Sequence, residues 1–382
     1  MKLVSWIAAL CAILGGAMHV DARDLNNVSE PRIAFINPGY GDRGFWKDVR
    51  DTMQAAADQF GFDLVVFDSD RDWKQMAESA NRVFAINPPP DYIIAVNEHQ
   101  QGTRIVLEAQ ERSIPVLMLL NDLTDEQKQR FGRPGRELGF WIATLVPDNE
   151  RAGFEIAQSL AIAAKDAHNG GLRKDLCLLS LAGDSMTPAS LQRLRGLDMA
   201  LEQYPLLREQ RRLVVNWSFE EAYRRTAEWL ATGGCLDAVW AANDSIALGA
   251  IKAIEEFGKV PGKDVFVGGL NWSAEGLENV ASGKMTMTHG GHFLAGAWIM
   301  VLLKDYLEGI EKLTTNPEIS FGMQAITRDN FETYKQVLGD RDWNKIDFSQ
   351  FSLVSNPEQR DYRFRIEELN SAQERDWPIP SR

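Results

Sequence analysis

Residues 237–250 read DAVWAANDSIALGA, and this stretch decides the fold class of the chain. It begins as a short apolar strand and continues as a helix of small residues. Asn243 and Asp244 stand at the junction, and open α/β sheets place ligand contacts at the carboxyl ends of parallel strands. Asp244 is suited to cap the helix by accepting its free backbone N–H groups. We therefore predict that Asp244 holds the turn and Asn243 reaches a ligand; the simpler interpretation makes both ordinary turn residues.

The same succession of strand, loop and helix extends over most of the chain. In the first half the predicted strands are 32–36, 63–67, 92–96 and 114–120, and the predicted helices are 45–60, 72–86 and 101–112. After a helix over 149–164, strands near 176–181, 211–215, 236–241 and 265–270 alternate with helices near 190–203, 219–232 and 245–257. A strand at 284–288, a helix at 292–309 and a last strand near 318–326 follow. Two such series predict an α/β fold with two doubly wound parallel-sheet lobes.

Length and charge narrow the classes of function. The 382 residues are enough for two domains. The formal net charge of −13 argues against nucleic-acid binding, because phosphates need a face rich in lysine and arginine. No helix-turn-helix segment precedes the first strand, so a repressor with this fold is excluded as well.

The first 22 residues have the features of a secretory signal peptide. Lys2 supplies a positive charge, an apolar run covers 4–18, and Ala22 is a small residue suited to a cleavage site. The run is short for a membrane span, which needs about 20 apolar residues. Cys11 is a poor lipidation site because Leu10 precedes it. We expect cleavage near Ala22 and a soluble protein exported to the periplasm.

The ordered motifs from about Pro31 to about Arg328 resemble the periplasmic sugar-binding proteins of type I, the ribose- and galactose-binding kind. The resemblance implies two lobes, joined by a multi-strand hinge, that close on a small ligand. It divides the chain into an N-terminal lobe (30–146 and 290–317) and a C-terminal lobe (147–289 and 318–339). Residues 340–382 form an aromatic C-terminal extension that either packs on a lobe or serves as a partner surface.

Two cysteines of the second series are candidates for a disulfide. Cys177 opens one predicted strand and Cys235 directly precedes another. In a doubly wound lobe these strands would be neighbours entered from the same end. A disulfide, with Cα atoms about 5.5 Å apart, suits an exported protein. The alternative is a pair of buried free thiols.

A sugar site needs flat rings against the C–H faces and planar polar groups around the rim. The loop after the first strand carries Tyr40 and Arg43, followed by Phe45 and Trp46 at the start of a helix. The resemblance makes Arg43 a polar contact and assigns sugar stacking to the Phe45–Trp46 pair. It places Trp217 over the opposite face. The alternative interpretation makes one ring of the pair a core residue.

The resemblance also assigns polar ligand contacts to further loops, namely to Asn97, Asn121, Asp122, Arg193, Asn271 and His289. The guanidinium of Arg193 can donate two parallel hydrogen bonds to vicinal hydroxyls or to a carboxylate. Asn121-Asp122 stands where ribose-binding proteins carry aspartate and arginine, and Asn271 stands where they carry aspartate. The ligand is therefore expected to differ from plain ribose or glucose.

Other functions fit the sequence less well. There is no phosphate loop and no Gly-x-Ser-x-Gly elbow, and residues 39–44 match the dinucleotide pattern only weakly. His289 and His292 lack a carboxylate or cysteine at metal-partner spacing. We expect a monomeric, non-enzymatic, cofactor-free and metal-free binding protein that presents a sugar or polyol to a membrane permease. The alternative is a ligand sensor for a membrane receptor or histidine kinase, and an enzyme acting on glycosides is a distant third.

Overall fold

The computed structural model describes residues 30–167 and 175–371. Its strands are β1 (Arg32–Asn37), β2 (Asp63–Asp68), β3 (Tyr92–Ala95), β4 (Val116–Leu119), β5 (Trp141–Pro147), β6 (Leu176–Ala182), β7 (Leu207–Val214), β8 (Ala238–Ala241), β9 (Phe266–Leu270), β10 (Met287–Gly290), β11 (Glu318–Phe321) and β12 (Gln324–Ile326). Its helices are α1 (Phe45–Phe60), α2 (Trp73–Phe84), α3 (Gly102–Arg112), α4 (Asp125–Phe131), α5 (Asn149–Ala167), α6 (Pro188–Gln203), α7 (Phe219–Ala231), α8 (Asp244–Glu256), α9 (Ala274–Ser282), α10 (Ala295–Leu307), α11 (Lys312–Thr315), α12 (Phe331–Leu338) and α13 (Glu368–Ser371).

The strands form two six-stranded sheets, each covered by helices. The order is β11-β5-β4-β3-β1-β2 in the N-terminal lobe and β12-β10-β9-β8-β6-β7 in the C-terminal lobe. Neighbouring strands such as β1 and β2 run parallel, whereas β12 runs antiparallel to β10. Consecutive strands pair on either side of the first strand of each series, which is doubly wound topology. The predicted fold class is confirmed.

The chain passes between the two sheets at three places. It leaves the first sheet after β5 and enters α5, which packs on the second sheet. It returns after β10 through Gly291 to α10, which packs on α1. It crosses again between β11 and β12. We refer to these as the three hinge segments, since hinge closure depends on such connections.

The prediction placed 318–339 in the C-terminal lobe, and this is wrong for β11. Glu318 pairs with Thr144 of β5, so β11 completes the N-terminal sheet, and Ile326 of β12 pairs with Thr288 of β10. The stretch from 318 to 326 was interpreted as one strand because it is continuously β-like. Gly322 and Met323 divide it into two strands that serve different sheets.

Six elements have no counterpart among the predicted ones: β5, α4, α9, α11, α12 and α13. β5 lies inside the N-terminal sheet between β4 and β11, and Trp141 within it is fully buried. Thr124 begins α4 with a reciprocal capping box in which the Gln127 side chain returns the hydrogen bond. Ser273 begins α9, since its hydroxyl accepts from the Gly276 N–H.

The middle of the C-terminal extension packs on the N-terminal lobe. Phe348, Phe351 and Phe364 are buried, and the Phe364 ring stacks on Trp298 of α10 at 5.3 Å. The extension consequently covers part of α10. Of the two interpretations left open by the sequence, the structure supports packing on a lobe. Residues 372–382 lie outside the described residues.

Cys177 and Cys235 are joined as a disulfide, with Cα atoms 5.8 Å apart. The bond ties the start of β6 to the segment that leads into β8, its neighbour in the sheet. Within the ranges described above, no helix is both long and apolar enough to cross a membrane. The predicted signal peptide and its cleavage near Ala22 lie outside these ranges.

Candidate functional site

A cavity of about 580 Å³ lies between the carboxyl ends of the two sheets. Nine of the predicted residues line it: Tyr40, Arg43, Phe45, Trp46, Asn121, Arg193, Trp217, Asn243 and Asn271. The lining also includes polar and aromatic residues that the sequence did not single out as contacts: Arg71, Glu98, Asn149, Phe219, Glu220 and His292. Its size falls in the range of about 300–1,000 Å³ that is usual for small-molecule sites.

Phe45 and Trp46, the aromatic pair of the N-terminal lobe, have different surroundings. Phe45 is half-buried and stacks on the His292 ring, with centroids 4.3 Å apart. Trp46 is only 7% exposed and meets Phe45 edge to face at 5.3 Å. Gly39 lies against the Trp46 side chain so closely that a Cβ there would be 2.1 Å from it. Phe45 is therefore the ring placed for stacking, and Trp46 supports it from the core.

Trp217 forms the aromatic wall of the C-terminal lobe. Its indole N–H donates to the Asp184 carboxylate at 2.7 Å, which fixes the plane of the ring. A Cβ on Gly183 would lie 2.2 Å from the ring, so only glycine allows this position. Trp217 also has a φ of 59°, in the left-handed region that non-glycine residues seldom occupy. The loop is strained and held, as at many ligand sites.

Asp184 holds this wall through several donors. It accepts from the backbone N–H groups of Met186 and Thr187 as well as from the Thr187 hydroxyl and Trp217. Burial raises the pKa of Asp184, but these hydrogen bonds outweigh it and bring the pKa below its ordinary value. The carboxylate stays ionised at neutral pH and keeps the Trp217 ring in place.

Arg193 is the buried cation of the site. Its Nε donates to the Asn149 side chain at 2.9 Å and its Nη1 donates to the Ala242 carbonyl at 2.8 Å. Burial lowers the pKa of Arg193 to about 9, and the carboxylates of Asp244 and Glu98 oppose this shift. The guanidinium remains charged at neutral pH. These two hydrogen bonds use Nε and one N–H of Nη1, and a guanidinium carries five N–H donors.

Close helix packing brings Arg193 to Asn149. A Cβ on Gly153 of α5 would lie 2.0 Å from the Arg193 carbonyl, and one on Gly196 of α6 would lie 1.9 Å from the Glu150 carbonyl. The two glycines let α5 and α6 approach to backbone contact. A larger residue at either position would move Arg193 away from the amide that orients it.

Arg71, Glu98 and Asn121 form a polar group on the opposite side of the cavity. Arg71 pairs with Glu98 at 2.8 Å, and the Asn121 amide approaches the other oxygen of Glu98 at 3.4 Å. Asn121 Oδ1 also accepts from the Ala189 N–H at 2.9 Å, and Ala189 belongs to the other lobe. The two walls of the cleft therefore touch in this structure, which is a closed arrangement.

Two predicted contacts in the N-terminal lobe prove to be structural. Asn97 is fully buried and donates to the Asp122 carbonyl and to Gln127, and its Oδ1 accepts from the Gly102 N–H. Asp122 pairs with Lys128 at 2.5 Å. Burial raises the pKa of Asp122 to about 6, and Lys128 only partly offsets this. Neither residue lines the cavity, whereas their neighbours do: Glu98, which was not predicted, and Asn121, which was.

Of the two histidines that follow Thr288, the predicted contact His289 lies away from the cavity. His289 Nε2 lies 2.7 Å from the Glu155 carboxylate inside the C-terminal lobe and does not line the cavity. His292 does line it, in the turn beyond β10. Burial lowers the pKa of His292 well below its usual range, and the positive charge of Arg193 nearby adds to this. His292 is therefore neutral at pH 7.

Asn243 takes the capping role predicted for Asp244 and keeps its predicted place at the cavity. Asn243 caps α8, since its Oδ1 accepts from the Ile246 N–H at 2.9 Å, and the residue still lines the cavity. Asp244 is fully buried and accepts from Thr288 and from both the N–H and the hydroxyl of Ser273. Asp244 thus ties α8 to two neighbouring segments, and Asn243 is left with its amide N–H groups for a ligand.

One group of possible metal ligands in the described ranges lies at this cleft: Glu98, His99 and Asp184 have ligand atoms within 4.8 Å of one another. The Asp184 carboxylate already accepts four hydrogen bonds, and Glu98 is paired with Arg71. The four donors fill the acceptor positions of Asp184, and the positive charge of Arg71 beside Glu98 opposes a bound cation. The donor set therefore suits hydrogen bonding rather than a metal.

Comparison with known proteins identifies the family to which this chain belongs. Residues 33–311 match the family model described as a periplasmic binding protein domain. The chain belongs to this family. Its members are periplasmic solute-binding proteins, and sugar and polyol binders of ABC transporters are prominent among the relatives.

A ribose import binding protein of Haemophilus influenzae is 26% identical over 256 residues, which cover 65% of this chain and 75% of that protein. A xylitol-binding protein of Mycolicibacterium smegmatis is 30% identical over 191 residues, covering 49% of this chain and 50% of that protein. A solved periplasmic sugar-binding protein from Pseudomonas fluorescens has a TM-score of 0.79 at 30% identity, over 89% of this chain and 99% of that one.

Proposed function

We propose that this periplasmic binding protein captures a small sugar or polyol by closure of its two lobes and presents it to an ABC permease. The observation that carries the proposal is the pairing of aromatic walls with a buried arginine in one inter-lobe cavity. Phe45 stands on one lobe, and Trp217 and Arg193 stand on the other. Rings above and below with planar donors at the rim match the two surfaces of a sugar.

Each polar group has a distinct part in the proposed complex. Arg193 donates through Nη2, the Asn243 amide donates, and the Asn271 amide both donates and accepts. Glu98 accepts from ligand hydroxyls, since a carboxylate can accept more hydrogen bonds than Arg71 and Asn121 supply. The polar groups of the cavity are neutral amides, one charged pair and one buried cation. This combination suits a ligand with several hydroxyl groups.

Closure explains how the ligand would be retained. The Asn121–Ala189 hydrogen bond joins the lobes at the cavity, and a bound ligand would add contacts to both walls at once. A ligand that binds the closed form better than the open form shifts the population toward closure. Relatives named for ribose and xylitol support a ligand of similar size.

The packing of the extension weakens one mild argument for the sensor alternative, which was that the extension could serve as a partner surface. Phe348, Phe351 and Phe364 are buried within the chain and do not form an exposed partner surface. An ABC permease therefore remains the partner that we propose.

The test is a thermal-shift screen against D-ribose, xylitol, D-allose, L-arabinose, myo-inositol, sugar acids and amino acids. A ligand at 100 times its Kd stabilises the folded protein by about 2.7 kcal/mol, which gives an evident rise in Tm. We expect a hit among sugars or polyols, followed by loss of uptake of that compound when the gene is deleted. A hit confined to amino acids, or unchanged uptake after deletion, would contradict the proposal.

A further inference from the structure

Arg341, at the start of the C-terminal extension, contacts both lobes. Its Nη1 lies 2.9 Å from the Asp48 carboxylate of α1 in the N-terminal lobe. Its Nη2 donates to the Trp272 carbonyl, directly after β9 of the C-terminal lobe, at 2.5 Å. The guanidinium also lies over the ring of Phe293, in the hinge segment that follows β10, at 5.9 Å. A single side chain thus bridges the two lobes at the hinge.

The two contact points lie next to the walls of the ligand cavity. Asp48 is one helical turn beyond Phe45 on α1, and Trp272 directly follows Asn271. Both Phe45 and Asn271 line the cavity. Movement of these walls apart therefore separates the two groups that Arg341 holds together.

The turn after β9 has an unusual backbone, because Asn271 and Trp272 both have positive φ, at 142° and 55°. Such a turn needs support from the surrounding structure.

The rest of the extension is anchored to the N-terminal lobe. Gln59 of α1 donates to Asp347 and accepts from the Phe348 N–H. Asp305 of α10 accepts from the Ser352 hydroxyl at 2.5 Å and from the Leu353 N–H at 2.7 Å. These contacts fix the base from which Arg341 reaches the other lobe.

The end of the extension lies on two of the hinge segments. A Cβ on Gly291, after β10, would lie 2.1 Å from the Ile366 side chain. Gln324, after the third crossing, donates to Glu367. The extension therefore follows the hinge from Arg341 to Glu367.

We propose that Arg341 is a positioning residue: it holds α1 and the turn after β9 at the spacing of the closed cleft. The extension thereby shifts the lobes toward closure before a ligand arrives. The gain in ligand affinity that we expect from Arg341 rests on the proposed function. The effect of Arg341 on closure of the lobes does not. A protein that is already partly closed spends less of its binding free energy on the conformational change.

The first test is made without any ligand. The Ala189 N–H bonds Asn121 across the cleft, so its hydrogen exchange reports closure, and small-angle X-ray scattering reports the radius of gyration. We expect R341A to exchange faster at Ala189 and to have a larger radius of gyration than the unaltered protein. Amides of β4, deep in the N-terminal lobe, should keep their protection, which distinguishes opening from unfolding.

Three further variants sharpen this test. R341K keeps a positive charge beside Asp48 but cannot donate to both partners in the same way, so we expect an intermediate effect. D48N removes the ion pair and leaves the contact with the Trp272 carbonyl. R195A is the matched control, because Arg195 pairs with Glu150 inside the C-terminal lobe, and it should leave Ala189 exchange unchanged. Equal Ala189 exchange in R341A, R341K and the unaltered protein would overturn the proposal.

The second test titrates D-ribose and xylitol into the same variants. For whichever probe binds, R341A should weaken the affinity about tenfold, on the scale of a charge-assisted hydrogen bond, and R341K should recover part of the loss. An unchanged affinity in a variant that opens would mean that the contact is structural only. If neither probe binds the unaltered protein, the result counts against the proposed function. The hydrogen-exchange experiment alone then tests whether Arg341 favours closure.

Discussion

The two walls of the cleft are built in different ways. In the C-terminal lobe, Arg193 and Trp217 are held by buried partners, the Asn149 amide and the Asp184 carboxylate. In the N-terminal lobe, the polar groups are the Arg71–Glu98 pair and Asn121, which bond one another and the opposite lobe. The C-terminal wall is preorganised within its own lobe, whereas the N-terminal wall is completed by closure. Preorganised groups lose less entropy on binding.

The largest effect is expected at Arg193. R193A removes the cation and leaves the buried oxygens of Asn149 and Ala242 without a donor. We expect ligand affinity to fall by about 3 kcal/mol, roughly a hundredfold. Titration calorimetry with the ligand identified by the screen measures this loss. R195A alters an exposed arginine of the same helix and should change affinity little; equal losses would contradict the distinction between the two.

Trp217 is the next test of the preorganised wall. W217A should weaken binding by about 1–3 kcal/mol, the scale of burying a large ring, while the fold persists. Trp229 is a suitable control because its indole N–H donates to the Cys235 carbonyl away from the cavity. W229A should therefore leave affinity unchanged by calorimetry. An unaltered affinity in W217A would remove this wall from the site.

Neighbouring residues of the N-terminal wall should separate stability from binding. N97A should lower the free energy of unfolding by about 1–3 kcal/mol, because Gln127 and the Gly102 N–H lose a buried partner. E98Q should leave stability nearly unchanged and weaken binding by about 1 kcal/mol. Chemical denaturation and calorimetry on both variants measure the two effects. If N97A weakens binding and E98Q does not, the ligand contact belongs to Asn97 after all.

His292 gives a smaller, pH-dependent effect. The pKa of His292 in the folded state lies well below 6.5. As the pH falls below about 6.5, this side chain is therefore protonated in the unfolded chain while it stays neutral in the folded chain. The unfolding free energy should therefore decrease with falling pH by up to about 1.4 kcal/mol per unit from this group. H292N should flatten the curve of Tm against pH between about 5 and 7. Parallel curves for the two proteins would show that His292 is not the cause.

The contrast between the walls also shows what the sequence can predict. α1 was predicted with the observed bounds of Phe45–Phe60, and Arg193 and Trp217 were placed in the cavity by their positions after strands. Strand ends and helix starts are local features, and they carry a residue to the correct edge of a sheet. Periodicity and turn chemistry were sufficient for this part.

The choice between adjacent residues was not predictable in the same way. Asn97 and Glu98 both follow β3, and which of them turns toward the cavity depends on their partners in distant segments, Gln127 and Arg71. Asp70 and Arg71 have positive φ, which a local pattern of ordinary residues does not indicate. Arg341 lies in an extension for which the resemblance offers no counterpart.

The most direct test of the account is a crystal structure of the protein with the sugar or polyol that raises its Tm most. We predict one ligand between Phe45 and Trp217, hydrogen-bonded to Arg193 and to at least one of Asn243 and Asn271. A ligand that lies outside the cavity between the lobes, or that bypasses Arg193, would contradict it.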